Sequence, residues 1–200
     1  MQTIIFDFGN VVGFFDHWRA LRKLEPIAAA SAQQMYDLVC AGPLGDDIES
    51  GRIGAEEFLR RFKSECGITC SDEFLEEACA DIFWPNSEVC ELIPRLKTRY
   101  RILLGSNTNV IHACRFKKQF ADVLRHFDAL ILSHEIGVRK PKVDFFHHCQ
   151  KHSRGKPEEV LFLDDVADNV ASARTLGWQG IVYQPNDGLL AKLAAAGVSV

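Results

Sequence analysis

Five short runs of the chain are apolar without alternation: Thr3–Asp7, Arg101–Ser106, Ala129–Ser133, Val160–Asp164 and Gly180–Tyr183. A strand with one wet face alternates, whereas a strand covered on both faces does not, so these runs predict buried parallel strands. After each of the last four the apolar positions recur at helical spacing, over Asn109–Leu124, Lys142–His152, Asp168–Leu176 and Leu189–Ala196. The third of these stops at Gly177, a residue suited to the left-handed turn that ends helices. Strands alternating with helices predict an α/β fold, a Rossmann-like doubly wound parallel sheet of about five strands.

The first interval breaks the rhythm. Roughly ninety residues separate the first strand from the second, where a crossover needs only a dozen or more. Their pattern is helical: Phe14–Leu24, Ala30–Cys40, Ala55–Cys66, Ser71–Phe83, then Ser87–Leu96 leading back to the sheet. Ser71 stands as an N-cap. This predicts a core of residues 1–14 and 86–200 carrying a small α-helical cap of residues 15–85. Charged clusters such as Glu56-Glu57 with Arg60-Arg61 read as solvated helix surface. Trp18 and Trp84 read as packing residues rather than as lining for a pocket.

Composition narrows the partners. Of the 200 residues, 47% are hydrophobic and 25% charged, as in ordinary globular proteins. A net charge of −4 argues against nucleic acid or an anionic membrane as partner. Seven cysteines, an odd number, and a start without leader-like features predict free thiols and a cytoplasmic protein. No apolar run approaches the ~20 residues of a membrane span. Cys66-x-x-x-Cys70 lacks a second pair at zinc-site spacing. His147-His148-Cys149-x-x-His152 sits on a predicted helix, where adjacent residues face different ways.

The candidate chemistry lies at the strand tips. Ligands of an open parallel sheet bind beyond the C-terminal strand ends. The first strand delivers Asp7 there, the second Ser106-Asn107, and the fourth Asp164-Asp165 with Asn169 a helical turn later. The stretch after the third strand ends in Arg139-Lys140-Pro141. Each has a bland reading when taken singly: a turn aspartate, a helix cap, a surface lysine. Together, three carboxylates at one edge repel one another unless a cation offsets them. A hard divalent ion such as Mg²⁺ takes such oxygen ligands along with phosphate oxygens. Lys140 supplies balancing charge, and Ser106 with backbone amides holds an anion. That inventory suits phosphoryl transfer onto a carboxylate.

Phe6-Asp7-Phe8-Gly9-Asn10-Val11, Leu104-Gly105-Ser106-Asn107, Arg139-Lys140-Pro141 and Phe162-Leu163-Asp164-Asp165-x-x-x-Asn169 resemble, in order and strand context, the four motifs of the haloacid dehalogenase superfamily. The helical insert falls where one class of that family carries its cap. The first and last motifs resemble the branch of glucose-1-phosphate phosphatases and the phosphatase domain of soluble epoxide hydrolases. The resemblance implies that Asp7 attacks phosphorus and forms an aspartyl-phosphate. It implies Mg²⁺ on Asp7, the Gly9 carbonyl, Asp165 and, directly or one contact removed, Asp164, with Asn169 orienting the acidic pair. Ser106, Asn107, Asn10 and Lys140 are the implied phosphoryl-binding residues, and Lys140 also stabilises the charge on Asp7. The expected activity is Mg²⁺-dependent hydrolysis of a small phosphorylated metabolite, a sugar phosphate first, by a monomer or homodimer needing no other cofactor.

Gly9 departs from that pattern. Most phosphatases of the superfamily carry a second aspartate two residues after the nucleophile, which protonates the leaving alcohol and then activates water. Such a group contributes ~10²–10⁴-fold to the rate. Three readings follow. Water, a substrate hydroxyl, or Asp16 or His17 takes over the proton; the bland readings of those two are a helix N-cap and an exposed first-turn residue. Alternatively the chain is a metal-independent 2-haloacid dehalogenase, since halide leaves without a proton. Or it binds phosphate ligands with little turnover. The Asp164-Asp165 pair favours a metal site and hence the first reading.

Overall fold

The computed structural model describes residues 1–200. In chain order its elements begin with β1 (Thr3–Phe6) and β2 (Gly13–Phe15), followed by the helices α1 (His17–Leu24), α2 (Ala32–Val39), α3 (Pro43–Glu49), α4 (Ala55–Cys66) and α5 (Asp72–Ala80). Then come β3 (Phe83–Pro85), α6 (Ser87–Lys97), β4 (Arg101–Ser106), α7 (Val110–Gln119), α8 (Ala121–Leu124), β5 (Ala129–Leu132) and α9 (Ser133–Ile136). The chain closes with α10 (Val143–His152), β6 (Val160–Asp164), α11 (Ala167–Thr175), β7 (Gln179–Val182) and α12 (Leu189–Ala195).

Five of the strands form one parallel sheet in the order β5-β4-β1-β6-β7. β1 is central, with Phe6 level with Leu104 on one side and Leu163 on the other. Both faces are covered, which is why the runs do not alternate in polarity. Ile4, Phe6, Ile102, Leu104, Leu161 and Leu163 pack on one face against Val89, Ile93, Phe116 and Leu193. Ile5, Leu103, Ile131 and Phe162 pack on the other against Phe145, Phe146, Val170 and Ala173. Chain order reverses around β1, so the strand ends open a crevice there.

Helices α1–α5 gather around their own apolar cluster, which includes Leu21, Met35, Leu44, Ile48, Phe58, Phe62 and Leu75 and takes in Ile111 from α7. Two of their starts are capped by serine: Ser31 Oγ accepts from Gln34 N at 3.3 Å and Ser71 Oγ from Phe74 N at 3.2 Å. The segment is bracketed by an antiparallel ribbon in which Gly13, Phe14 and Phe15 of β2 face Pro85, Trp84 and Phe83 of β3. The predicted helices Phe14–Leu24 and Ser71–Phe83 therefore each lose an end to this ribbon. Three-residue strands leave no periodicity to read. α3 was not expected, because its sequence, Pro-Leu-Gly-Asp-Asp-Ile-Glu, is too short and too polar for a clear stripe. Asn86 closes the return to the sheet: its side-chain amide donates to the Val11 carbonyl and to the Tyr183 hydroxyl, both at 2.7 Å.

Trp18 stacks on Tyr36 with ring centroids 5.1 Å apart, as a packing residue should. Trp84 does not pack in a core; it is exposed on the ribbon with the Arg19 guanidinium 5.8 Å above its ring. All seven cysteines are free. Cys149 lies in the buried stripe of α10 with Phe145 and Phe146, and His147 and His148 are outside it. No helix is long and apolar enough to cross a membrane.

Candidate active site

Asp7 is the first residue beyond β1. Its N–H continues the sheet ladder by donating to the Leu163 carbonyl at 2.8 Å, which fixes where the side chain leaves the sheet. The following turn folds back on the Phe8 carbonyl, which accepts from Val12 N and Gly13 N at 2.9 Å each. Asn10 adopts a φ of 55° in that turn, a conformation asparagine tolerates better than most residues. Its side-chain amide donates to Asp165 Oδ2 at 2.9 Å.

Lys140 reaches the same point from the loop after β5. Its ammonium lies 2.8 Å from Asp7 Oδ1 and 2.7 Å from Asp164 Oδ2, and its side chain is 1% exposed. The backbone of Lys140 is clamped by Asn107: Lys140 N donates to Asn107 Oδ1 at 2.8 Å, and Asn107 Nδ2 donates to the Lys140 carbonyl at 3.0 Å. Asn107 therefore turns its side chain to the lysine loop and leaves only its backbone for a ligand. Ser106 ends β4, buried. Ser133, the first residue of α9, braces Thr108, accepting from its N–H and donating to its carbonyl, both at 2.9 Å.

Asp164 is enclosed by donors. Val166 N donates to Oδ1 at 2.8 Å, Lys140 donates to Oδ2, and Asn169 Nδ2 lies 3.0 Å from both oxygens. A carboxylate offers about four lone-pair positions, so Asp164 is saturated. Asp165 carries fewer contacts and is less buried. The oxygens of Asp7, Asp164 and Asp165 converge to within 4.8 Å of one another, and no other group of three or more such side chains comes together in the fold.

Electrostatics follow from this crowding. Burial, reinforced by Asp164 and Asp165, outweighs the pull of Lys140 and lifts the Asp7 carboxyl to about 7. Asp165 is also raised, by burial first and then by Asp164, with the Asn10 hydrogen bond opposing. For Lys140 burial acts to lower the pKa, but Asp7 and Asp164 together overcome it and the net shift is upward. Three carboxylates against one touching ammonium leave a deficit of positive charge, and the donor set is all oxygen. Both features fit a hard divalent cation.

Two adjoining cavities of about 50 Å³ each lie between this edge and the helical segment. One reaches Gly9, Ser106, Asn107 and Thr108; the other runs into α1–α4; both are walled by His17, Glu49 and His112. Glu49 ends α3 and pairs with Arg139 at 2.7 Å. Burial raises its pKa despite that partner. Burial also lowers His17, and it holds His112 down at about 3 with help from the neighbouring His17. His17 is thus a cleft residue rather than an exposed one. Asp16 is the N-cap of α1, accepting from Trp18 N at 2.9 Å, and its bland reading stands.

Gly9 has a packing reason. A Cβ placed there would lie 2.8 Å from Cε1 of Phe15, so the ring of Phe15 occupies the space a side chain at position 9 would need. The structure brings Asp7, Asn10, Ser106, Asn107, Lys140, Asp164, Asp165 and Asn169 together as the sequence suggested. It adds Glu49, His112 and Ser133, which nothing in their sequence context distinguishes from surface acids, helix histidines and strand-end serines.

The family of haloacid dehalogenase-like hydrolases matches residues 1–177. The chain belongs to that family. Among its relatives, a D-ribitol-5-phosphate phosphatase of Bacteroides thetaiotaomicron is 28% identical over 94% of this chain and 93% of its own. A sesquiterpene phosphatase of Aspergillus oryzae is 34% identical over 68% of this chain and 70% of its own. A predicted haloacid dehalogenase-like hydrolase from Porphyromonas gingivalis superposes with a TM-score of 0.83 at 28% identity, covering 100% of this chain and 99% of that one. A haloacid dehalogenase-family enzyme from Bacteroides thetaiotaomicron, in complex with magnesium and inorganic phosphate, superposes with a TM-score of 0.83 over 94% and 96% of the two chains; at 22% identity it shares the fold.

Proposed function

We propose that this hydrolase cleaves phosphate monoesters of a small metabolite, with Asp7 as nucleophile and Mg²⁺ as cofactor. The observation that carries the reading is the buried Lys140 ammonium held between Asp7 and Asp164, beside a converging third carboxylate. The phosphatase relatives, one matched over nearly its whole length and one over 70% of it, and the magnesium- and phosphate-bound neighbour of the same fold support it. Asp7, Asp165 and the Gly9 carbonyl are the groups we assign to Mg²⁺. Asp164, with its lone pairs engaged, stands behind them and fixes Lys140 and Asn169. A bound Mg²⁺ supplies the charge that lets an anionic nucleophile approach an anionic ester.

The chain's own residues do the rest. An Asp7 oxygen attacks phosphorus, the phosphorus–oxygen bond to the alcohol breaks, and an aspartyl-phosphate forms; water then cleaves it and restores Asp7. Lys140 neutralises charge on Asp7 and the phosphoryl oxygens throughout. Ser106, with the backbone N–H groups after β4, holds the transferring group. With glycine at position 9, the leaving oxygen takes its proton from the cleft, where His17 and Glu49 stand in the wall. Residues 15–85 act as the cap, excluding water and receiving the alcohol. The ribitol-phosphate relative points to the ester of a polyol and the sesquiterpene phosphatase to that of an apolar alcohol, and the lining of the cleft is what bears on the choice.

The test is phosphate release from an aryl phosphate, with Mg²⁺ and with EDTA, for wild type beside Asp7→Asn. Turnover should need both the metal and Asp7. Release indifferent to either removes the reading. Halide release from 2-haloacids without metal would replace it with dehalogenation, and phosphate binding without release would make the site a sensor.

A further inference from the structure

The cavity that runs from the cleft into the helical segment has a mostly apolar wall. Leu21, Val39, Ile48, Phe58, Phe62 and Ile111 supply most of it. Four side chains with nitrogen or oxygen also border it, and three are already engaged. Glu49 is paired with Arg139. Asn109 accepts from His112 N at 2.9 Å, and its amide meets His112 Nδ1 at 3.0 Å, which occupies both residues. His17 is the fourth, with its ring centroid 5.8 Å from that of His112. Cys40 and Cys79 add only weakly polar thiols, and burial pushes both up to about 12. This space is continuous in its walls with the cavity at Gly9, Ser106 and Thr108 through His17, Glu49 and His112. It is therefore where the alcohol half of an ester held at Asp7 would extend.

Resting on the phosphatase reading, we propose that this alcohol half is short and apolar, an alkyl, alkenyl or aryl alcohol of roughly four to six carbons, and not a sugar or polyol. Size sets the length. Together the two cavities, of about 50 Å³ each, hold about four to eight waters or a similar number of methylenes, and the end at Ser106 is taken by the phosphoryl group. Hydrogen bonding sets the polarity. A polyol carries several hydroxyls, and the wall offers them only His17 and the Glu49 oxygen not paired with Arg139. Each hydroxyl buried without a partner lowers binding by about tenfold or more. Charge excludes a second anionic group, because Glu49 would stand against it.

The test compares kcat/KM with Mg²⁺ for 3-methylbut-3-enyl phosphate against ribitol 5-phosphate and glucose 6-phosphate. A simple alkenol is the poorer leaving group, so an advantage for its ester reports the pocket and not the chemistry. We expect the alkenyl ester to lead both sugar esters by about 100-fold or more. Comparable values, or a lead for either sugar ester, overturn the proposal while leaving the phosphatase reading intact. Val39→Asn, at a half-buried position that accepts a polar group, should narrow the ratio about tenfold through KM for the alkenyl ester, with inhibition by inorganic phosphate unchanged. An unchanged ratio removes the cavity from substrate recognition. If no ester turns over, the phosphatase reading fails, and binding decides the pocket alone: a larger rise in Tm from 3-methylbutylphosphonate than from ribitol 5-phosphate upholds the apolar assignment, and the reverse overturns it.

Discussion

Asp7 is a carboxyl held in a place that resists its charge, and this has a consequence for the metal-free protein. Its pKa rises from the ordinary 3.8 to about 7 in the folded chain. Folded Asp7 therefore binds more proton than unfolded Asp7 between those values, so its contribution to stability is fullest below pH 4 and is lost as pH rises to 7. We expect the Tm of metal-free wild type, measured against Asp7→Asn, to fall by several degrees across that range, and Mg²⁺ to reverse the fall at pH 7. Thermal melts at pH 4, 5.5 and 7 check this. Gly9 gives a second prediction. Gly9→Asp restores the side chain expected of a phosphatase but drives it against Phe15, whose ring is itself packed against Phe83 and His17. Alone it should lower the Tm and leave kcat no higher; combined with Phe15→Ala it should raise kcat by about 10-fold or more over Phe15→Ala alone. The absence of an acid at position 9 was legible in the sequence. Its cause was not, because the contact joins residues in a turn and a three-residue strand with no periodic signature.

Between elements, the site depends on hydrogen bonds that tie one strand end to the next. Asn107, after β4, holds the loop that carries Lys140 through two bonds. Asn107→Ala removes both and frees the lysine backbone. We expect a loss of about 1–2 kcal/mol in stability and a fall in kcat of about 10–100-fold, as positioning of the ammonium is lost. Urea melts and steady-state kinetics on one preparation separate the two. The five sheet strands were readable because burial on both faces makes each a continuous apolar run. The pair β2–β3 was not, and neither was α3: three residues, or seven with a proline and a glycine among them, give no period to detect. The motif residues were found because strand ends are where a parallel sheet presents its ligands. Glu49 escaped because it reaches the cleft only through the packing of α3, which no local pattern announces.

At the scale of the molecule, the helical segment meets the sheet and its helices partly through Ile111 and partly along a polar seam. Arg139, next to the site lysine, crosses it to Asp46 and Glu49 at 2.6 and 2.7 Å. Beside these, Gly51 brings the helical segment against α9, at a φ of +65° and so close that a Cβ would lie 2.2 Å from the His134 carbonyl. Gly51→Ala is then strained twice, in its own backbone and against a backbone that cannot swing aside. It should hold the segment away from the cleft, raising KM several-fold for any ester while changing the Ki of inorganic phosphate little. Steady-state kinetics with product inhibition reads both.

The central position of β1 also governs how the protein is made. Its only neighbours in the sheet are β4 and β6, which begin at residues 101 and 160. On the ribosome, at about 5–20 residues per second, Ile4, Ile5 and Phe6 wait roughly 5–20 s for the first partner and longer for the second. The helices that follow find their partners nearby in the nascent chain and have no such delay. The strand that leads to Asp7 is thus left longest without its sheet partners, and the rate of translation between residues 15 and 160 sets how long that lasts.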